Sequence, residues 1–458
     1  MISRLETLIH TGDDYSLFRI NPIQYAKEKG LEEQESIDLF LHGVIAGIFQ
    51  MNWHLLCPGC TMVLDSFSSL SALDSRCHCE ICNVDSEATL DDYIMISFTV
   101  APDIREIIFN HPETLSDTDY ISMYRFSKEG MARDGTRWLE QAMPFLKVHS
   151  YIQQDEAKKF TADIAEGYLV ISDLLNHLGT IVPVTGGAGG GESKIGITLN
   201  GVAVKADRDQ IPAGKASFEF HNGSAKRGLV TVLNLPPDYQ QRFSINFSPY
   251  LSGKKLLTTQ SFRDLFHREV VKGTDGLGVK DISIVFTDLK GSTSLYERIG
   301  DLNAYSLVRQ HFDILGSVIT RNSGAIVKTI GDAVMGSFMN PADAVKAAIE
   351  MNVEVAGMNK SPEKKDLILK IGIHKGASIV VNLNDRLDYF GQMVNIAARV
   401  QDLAAGDEIY VTSDIYDYPG VRDMLRSFKV VPGKAKLKGV LDEMQVYRIS
   451  AIDSGRIQ

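Results

Sequence analysis

Cysteine is absent from most of this chain, and its distribution limits what the protein can be. All five cysteines lie between residues 57 and 82 of the 458-residue sequence. The chain also lacks a long basic run, and its formal net charge is -11. An acidic chain without a basic cluster is a poor match for nonspecific nucleic-acid binding. We therefore predict no nucleic-acid partner; binding of nucleic acid through the cysteine-rich segment is the weaker alternative.

Long apolar runs are missing as well. The most hydrophobic stretch, residues 37–56, contains Asp38, His42 and Gln50, whereas a membrane-spanning helix needs about 20 mostly apolar residues. Residues 1–14 lack the basic region and apolar core of a signal peptide. These absences predict a cytoplasmic protein without membrane insertion. In a reducing compartment, clustered cysteines favour metal binding over disulfides.

The cysteine spacing predicts a structural zinc ribbon. Two Cys-x-x-Cys pairs separated by a longer segment are typical of a tetrahedral site with four thiolates, which has no open position for catalysis. Cys77 or His78 could replace a neighbouring ligand, and a redox thiol switch is the competing interpretation. The predicted Zn²⁺ ligands are Cys57, Cys60, Cys79 and Cys82.

Hydrophobic periodicity divides the chain into several regions. Apolar residues from Ile37 to Ile48 recur with helical spacing. Further on, the runs Ala216–His221 and Leu229–Leu235 flank a turn-rich Asn-Gly-Ser and predict a hairpin in a β-sandwich. A short helix is predicted from Phe262 to Val271. The predicted regions are a helical segment (1–56), a zinc-ribbon-like segment (57–110), a β-rich regulatory region (111–255), a linker helix and hinge (256–278) and a final domain (279–450).

The final domain shows the clearest alternation of strands and helices. A buried strand is predicted at Ile282–Thr287, followed by an amphipathic helix from Leu302 to Ile319. A tight Gly-Asp turn then joins two strands, Ala325–Thr329 and Val334–Phe338. This alternation predicts a sheet with helices on one side.

Two aspartates in this domain stand where phosphate chemistry needs them. Asp288 ends a predicted strand, and Asp332 lies in the strand–turn–strand. Gly291, Ser292 and Thr293 open the following helix, whose backbone N–H groups can receive phosphate oxygens. Carboxylate oxygens suit Mg²⁺ or Mn²⁺, and two such ions can clamp the attacking and leaving oxygens of a phosphoryl transfer.

The surrounding motifs resemble the three signature segments of class III adenylate and guanylate cyclases. They occur in the family's order, and a Gly-Ile-His-Lys-Gly strand precedes the third. The resemblance implies a ferredoxin-like α+β/α/β catalytic domain at the C-terminus. The segments are Asp288-Leu-Lys-Gly-Ser-Thr293, Lys328-Thr-Ile-Gly-Asp332 and Arg386-Leu-Asp-Tyr-Phe-Gly-Gln-Met-Val-Asn-Ile-Ala-Ala-Arg399.

The resemblance also implies roles for individual residues. Asp288 and Asp332 match ligands of two divalent metal ions, with the Leu289 carbonyl as a further ligand. Asn395 matches the residue that orients the ribose, and Arg399 the one that stabilises charge on the reacting phosphate. Lys438 matches a lysine that contacts the β- and γ-phosphates.

A second pair of residues implies the substrate. Lys328 and Asp388 match the positions that read the purine base. Lysine can donate a hydrogen bond to adenine N1, and aspartate can accept one from the N6 amino group. On the same edge of guanine the donor and the acceptor are exchanged. Guanylate cyclases usually carry glutamate and cysteine there, so ATP is the expected substrate. A guanylate or dual-specificity cyclase and a catalytically silent cyclase-like scaffold are the alternatives.

The resemblance finally implies an assembly. In this family one subunit supplies the metal ligands and the other the base-reading and transition-state residues. All are present in this chain, so a head-to-tail homodimer is expected. Residues from about 15 to 270 resemble an uncharacterised module found before some bacterial cyclase domains, with the likeness carried by residues 52–60 and 79–85. From its position alone we expect a regulatory role, with an unidentified small-molecule or protein regulator.

Overall fold

The computed structural model describes residues 2–451 apart from short gaps at 58–61, 74–75, 80–83, 88, 92, 133–134, 188–190, 240–244, 268, 270, 272–275, 360–365 and 385. The helices are α1 (Ile2–Thr11), α2 (Asp14–Leu17), α3 (Pro22–Lys29), α4 (Glu33–Ile45), α5 (Asp117–Tyr120), α6 (Trp138–Ala142), α7 (Gly253–Leu257), α8 (Gln260–Leu265), α9 (Ser292–Ile299), α10 (Asp301–Arg321), α11 (Pro341–Met358), α12 (Gln392–Asp402), α13 (Ser413–Tyr416) and α14 (Val421–Met424).

The strands of the N-terminal half are β1 (Phe49–Leu56), β2 (Val63–Phe67), β3 (Arg76–Cys79), β4 (Val84–Glu87), β5 (Ile94–Val100), β6 (Gly130–Ala132), β7 (Leu146–Ile152), β8 (Ala157–Ile164), β9 (Gly167–Asp173), β10 (Leu178–Thr185), β11 (Ser193–Leu199), β12 (Val204–Ala206), β13 (Ile211–Pro212), β14 (Gly214–Asn222), β15 (Gly228–Leu235), β16 (Ile245–Phe247) and β17 (Leu251–Ser252). Those of the C-terminal domain are β18 (Leu277–Leu289), β19 (Gly324–Ile330), β20 (Ala333–Phe338), β21 (Leu369–Leu383), β22 (Arg386–Phe390), β23 (Glu408–Thr412), β24 (Phe428–Ala435) and β25 (Met444–Ala451). No helix in the described part of the chain has the length and apolar character that a membrane span requires.

The N-terminal region combines helices with a four-stranded sheet of order β17-β5-β1-β2. Helix α4 agrees with the helix predicted from the apolar repeat. Residues 49–56, assigned from sequence to the helical segment, form strand β1 instead. Met51, Trp53 and Leu55 of β1 point into one core because successive strand side chains alternate between faces. Strands β3 and β4 form a separate two-stranded sheet, and the described residues do not show the predicted zinc ribbon.

The middle of the chain is built from two sheets that share one core. A five-stranded sheet has the order β13-β10-β9-β15-β7, and a four-stranded sheet the order β12-β11-β14-β8. The predicted hairpin between residues 216–221 and 229–235 was wrong, because β14 pairs with β8 and β11 whereas β15 pairs with β7 and β9. Alternating hydrophobicity specifies which face of a strand is buried and not which strand lies beside it.

The C-terminal domain is an eight-stranded sheet in which β19, β20, β18 and β21 are consecutive neighbours. Antiparallel pairing and the β18-α10-β19-β20-α11-β21 connection give the ferredoxin-like arrangement. Asn340 caps α11 by accepting a hydrogen bond from the Ala342 N–H at 2.9 Å, and Pro341 occupies the first helical position.

The two faces of this sheet are covered differently. Helices α10 and α11 pack against residues such as Val285 and Ile373 on one face. Helix α12 packs on the other face, where Gly372 allows its backbone to approach, since a Cβ at Gly372 would lie 2.1 Å from the Gln401 nitrogen. The expectation of helices on one side only was therefore wrong, because helical periodicity does not specify which face of the sheet a helix covers.

The N-terminal region covers the rest of that second face. Ile284 and Phe286 of β18 belong to the same hydrophobic core as Trp53 and Phe262. Trp53 and Phe262 meet with ring centroids 6.1 Å apart. The linker helix α8 ends at Leu265, so it is shorter than the helix predicted to reach Val271. The predicted hinge also ends earlier, because β18 already begins at Leu277.

Candidate active site

The end of β18 and the β19–β20 turn bring two carboxylates to one end of the sheet. Thr287 pairs with Val334 across β18 and β20, which places Asp288 and Asp332 just beyond the paired residues. Gly331 has a φ of +63° and makes the tight turn before Asp332. The structure therefore gives the two predicted metal ligands the shared location that the motifs imply.

The two carboxylates have different surroundings. Asp288 is half-buried, and its Oδ2 lies 3.3 Å from Lys370 Nζ on the neighbouring strand β21. The Oδ2 atom of Asp332 is buried and has no hydrogen-bond partner among the described residues. A buried carboxylate oxygen without a donor is costly unless a cation neutralises it. This arrangement fits a divalent metal ion. Leu289 could join such a site only through its backbone carbonyl, because its side chain has no ligand atom and lies in the core.

Sequence reasoning missed two residues beside these carboxylates. Lys370 pairs with Asp288 in the β18–β21 register. His311 of α10 is completely buried, and neither ring nitrogen has a hydrogen-bond partner in the described part of the chain. Burial lowers the pKa of His311 to about 4, although the nearby charge of Asp332 opposes the shift. A histidine at a core position of an amphipathic helix was the available signal.

The base-reading residues form a direct pair. Lys328 Nζ lies 2.5 Å from Asp388 Oδ2, although the residues are 60 positions apart. Asp388 is 5% exposed, and its Oδ1 accepts a hydrogen bond from the Tyr389 N–H at 2.8 Å. A β-bulge between Ile326 and Lys328 interrupts the β19–β20 register, and such bulges re-aim side chains. Both carboxylate oxygens of Asp388 are thus fixed by donors.

Helix α12 presents the predicted transition-state residues away from the core. Met393 and Ala397 pack inward, whereas Asn395 is exposed and Arg399 is half-buried. Asn395 and Arg399 are four residues apart and lie on the same side of the helix. In the described residues neither side chain forms a hydrogen bond or an ion pair. No hydrogen bond or ion pair between described residues joins them to Asp288 and Asp332, the acidic pair, within one chain.

Comparison with known families assigns both halves of the chain. The model of a family of unknown function, DUF5939, matches residues 1–264, which is more than half of the sequence. The chain belongs to this family. A second model, for the adenylate and guanylate cyclase catalytic domain, matches residues 278–451. The C-terminal domain is therefore a class III cyclase catalytic domain, and the uncharacterised module preceding it is the DUF5939 region.

Individual relatives are more distant. An adenylate cyclase of Lachancea kluyveri is 27% identical over 206 residues, which cover 41% of this chain and 11% of that protein. An adenylate cyclase of Anabaena cylindrica is 26% identical over 185 residues, which cover 37% of each protein. The chain thus spans much less than half the length of these relatives. The solved structure of the adenylyl cyclase CyaB from P. aeruginosa has 23% identity and a TM-score of 0.33, covering 40% of this chain and 98% of that one.

The residues predicted to contact phosphate lie at the start of α9 and between β24 and β25. Gly291 precedes α9 with a φ of +72°, and no side chain caps the first turn of this helix. Its N-terminal N–H groups, including those of Ser292 and Thr293, are therefore suited to receive phosphate oxygens. Lys438 is exposed in the connection between β24 and β25. Among the described residues, the Lys438 side chain forms no hydrogen bond or ion pair.

The predicted zinc ligands are only partly described. Cys57 and Cys79 are buried in one apolar cluster of the DUF5939 region, whereas Cys60 and Cys82 lie outside the described residues. Cys79 Sγ lies 3.7 Å from His177 Nε2, a neighbour that sequence spacing could not reveal. His78 Nδ1 lies 2.7 Å from Asp85. Among described residues no group of three or more metal-binding side chains occurs, so a zinc site is not shown.

Proposed function

We propose that the protein is an adenylate cyclase that converts ATP into 3′,5′-cyclic AMP and pyrophosphate. The Lys328–Asp388 pair, with its 2.5 Å contact, carries this proposal. Lysine supplies a donor for adenine N1 and aspartate an acceptor for the N6 amino group. Guanine would leave both groups mispaired, and buried unpaired polar groups give strong discrimination between substrates.

We propose that the active site is shared between two copies of the chain. The acidic pair and the Asn395–Arg399 pair have no hydrogen bond or ion pair between them among the described residues of one chain. A head-to-tail homodimer would bring the acidic pair of one copy to the base-reading and transition-state residues of the other. Because both sets of residues occur in every copy, the symmetric dimer would contain two equivalent sites.

The residues of each copy have distinct tasks in this proposal. Asp288 and Asp332, with the Leu289 carbonyl, would hold two Mg²⁺ or Mn²⁺ ions, which when bound neutralise phosphate charge and activate the ribose hydroxyl. The N–H groups at Gly291–Thr293 would bind phosphate oxygens.

The transition-state residues complete the site. Asn395 would hold the ribose so that its 3′ oxygen is in line with the α-phosphorus. As that bond forms and pyrophosphate leaves, Arg399 would stabilise the charge on the equatorial oxygens. Lys438 would hold the β- and γ-phosphates of the departing group.

An assay of the full chain tests the activity. Purified protein with Mn²⁺ and ATP is expected to release cyclic AMP, and GTP in the same assay is expected to give little cyclic GMP. Equal turnover of both nucleotides would instead indicate dual specificity. No product from either nucleotide, with folded dimeric protein, would contradict the proposal and favour a silent scaffold.

We further propose that the DUF5939 region controls the cyclase domain through α8. Gln260 Oε1 accepts a hydrogen bond from the Ile326 N–H at 2.7 Å, and Arg263 Nη1 donates to the Leu387 carbonyl at 3.0 Å. These contacts hold β19 and β22, the strands of Lys328 and Asp388. A cavity of about 500 Å³ lies between the linker and Lys328. A signal that moves α8 would therefore act on the base-reading pair.

Replacing Arg263 by alanine should lower kcat/KM for ATP by about tenfold, since a hydrogen bond to a charged group contributes about 1.5–3 kcal/mol. The reason is that β22 would lose the donor that positions it beside β19. Arg426→Ala, which removes an exposed arginine paired with Asp423, is the matched control. Unchanged kinetics in both variants would count against control through this contact.

We also propose a structural Zn²⁺ in the DUF5939 region, held by Cys57, Cys60, Cys79 and Cys82. The common burial of Cys57 and Cys79 supports it. Elemental analysis of the purified chain is expected to find about one zinc per chain, and less in Cys57→Ser. Zinc-free folded protein would favour the thiol-switch alternative.

A further inference from the structure

A cavity lies on the face of the N-terminal sheet that points away from the cyclase domain. Met51, Trp53 and Leu55 of β1 face the core. The alternate residues Gln50, Asn52 and His54 line a cavity of about 390 Å³ on the opposite face. This volume is within the range of small-molecule sites, and nothing in the cyclase site uses it.

Arg19 places a buried positive charge beside this cavity. Its side chain donates to the Met123 carbonyl at 2.8 Å and to Ser66 Oγ at 3.2 Å. The guanidinium lies 5.3 Å from the ring centroid of Phe18 and 5.2 Å from that of Tyr124. Arg19 is only 7% exposed, and no carboxylate of the described residues forms an ion pair with it. Burial lowers the pKa of Arg19 to about 10, so it keeps its charge near neutral pH.

The backbone around the cavity has two uncommon conformations. Arg19 itself has a φ of +47°, a left-handed conformation that is unfavourable for a residue with a side chain. Residues Ile121–Arg125, which carry Tyr124 over the cavity, form a π-helix. Both features occur frequently at functional sites. Although the negative charge of Glu129 acts on Arg19, no carboxylate of the described residues lies within ion-pair distance of its guanidinium, so this group can still pair with an anionic ligand.

The charges around the cavity limit what it can bind. Arg19 and Arg125 contribute two positive charges, and Asp65 contributes one negative charge. His54 is fully buried, bonded to Ser66 and Ser97, and burial holds its pKa well below the usual range. With His54 neutral, the lining has a net charge of one positive unit, which matches a single negative charge.

We propose that this cavity binds a small organic monoanion, whose carboxylate pairs with Arg19 while its flat apolar part lies against Phe109 and Tyr124. The carboxylate would form charge-assisted hydrogen bonds with the Arg19 guanidinium. Phe109 and Tyr124 both line the cavity. The sheet below the ligand contacts Phe262 of α8 through Trp53 on its other face, so this site is well placed for a regulatory ligand.

Calorimetric titration of the full chain tests the site without relying on cyclase activity. The probes are benzoate, benzamide as its uncharged match, and inorganic phosphate, all at constant ionic strength. Benzoate is expected to bind saturably with one site per chain, and benzamide at least about tenfold more weakly, as expected for a lost charge-assisted hydrogen bond. No saturable benzoate binding, or preferential binding of phosphate, would overturn the monoanion assignment.

Two pocket variants distinguish loss of the binding site from loss of folding. Arg19→Gln should weaken benzoate binding at least about tenfold, whereas Arg105→Gln, which removes an arginine paired with Asp14 elsewhere in the same region, should not. If Arg19→Gln does not fold, Asn52→Phe fills the cavity from β1 while keeping Arg19, and should abolish binding. Benzoate binding unchanged in a folded pocket variant would refute the site.

Discussion

Replacing Asp332 by asparagine should reduce cyclic AMP synthesis at least about a hundredfold, because metal ions contribute several kcal/mol to transition-state stabilisation. The substitution keeps the shape of the side chain and removes the negative charge that a divalent ion requires. The Oδ2 atom of Asp332 is buried without a hydrogen-bond partner among the described residues. The folded protein should therefore be at least as stable thermally as the wild type.

A loss of activity with retained thermal stability distinguishes a catalytic defect from misfolding. Asp417→Asn, which changes an exposed aspartate that pairs with Arg422, is the matched control and should retain activity. Activity is measured as cyclic AMP released with Mn²⁺ and ATP, and stability as the midpoint of thermal unfolding. Normal activity in a folded Asp332→Asn protein would contradict the assignment of this residue to the metal site.

The same variant tests whether the site is shared between copies. Asp332→Asn and Arg399→Ala should each be inactive alone, but a mixed dimer has one site with both residues intact. Equal mixing should restore about a quarter of the wild-type activity, since about half of the dimers are mixed and each has one of two sites. Absence of any recovery, with subunit exchange verified, would contradict the composite site.

A second large effect is expected at the base-reading pair. Changing Lys328 to glutamate together with Asp388 to cysteine should lower kcat/KM for ATP about a hundredfold or more, and should raise it for GTP. The reason is that a glutamate at position 328 can accept a hydrogen bond from the edge of guanine, whereas the lysine of the wild type donates one to adenine. Each mispaired buried group costs about 1–3 kcal/mol.

The double substitution is needed because of burial. Lys328→Glu alone would face Asp388, which is 5% exposed, with a second carboxylate, and we expect that protein to be less stable. Lys434→Gln, at an exposed position of β24, is a control with the same change in net charge as the double variant. Turnover of ATP and GTP by the double variant is compared with that of the wild type. An unchanged ATP preference would show that other residues select the base.

The sequence alone supplied the chemical groups of the site. Asp288, Asp332 and Arg399 stand in motifs whose residue types and order predicted the cyclase domain, and the family model at residues 278–451 confirmed it. Strands and helices with strong periodicity, such as α10, were also predicted, because periodicity is a local property that reflects which side chains are buried.

Only the tertiary structure decided which distant segments meet. The pairing of β14 and β15 with different sheets, and the placement of α12 opposite α10, depend on contacts between elements that no local pattern records. The same holds for the 2.5 Å contact between Lys328 and Asp388 and for the cavity beside Arg19. A local pattern states that a side chain is buried or polar, whereas its partner is selected by the packing of the whole chain.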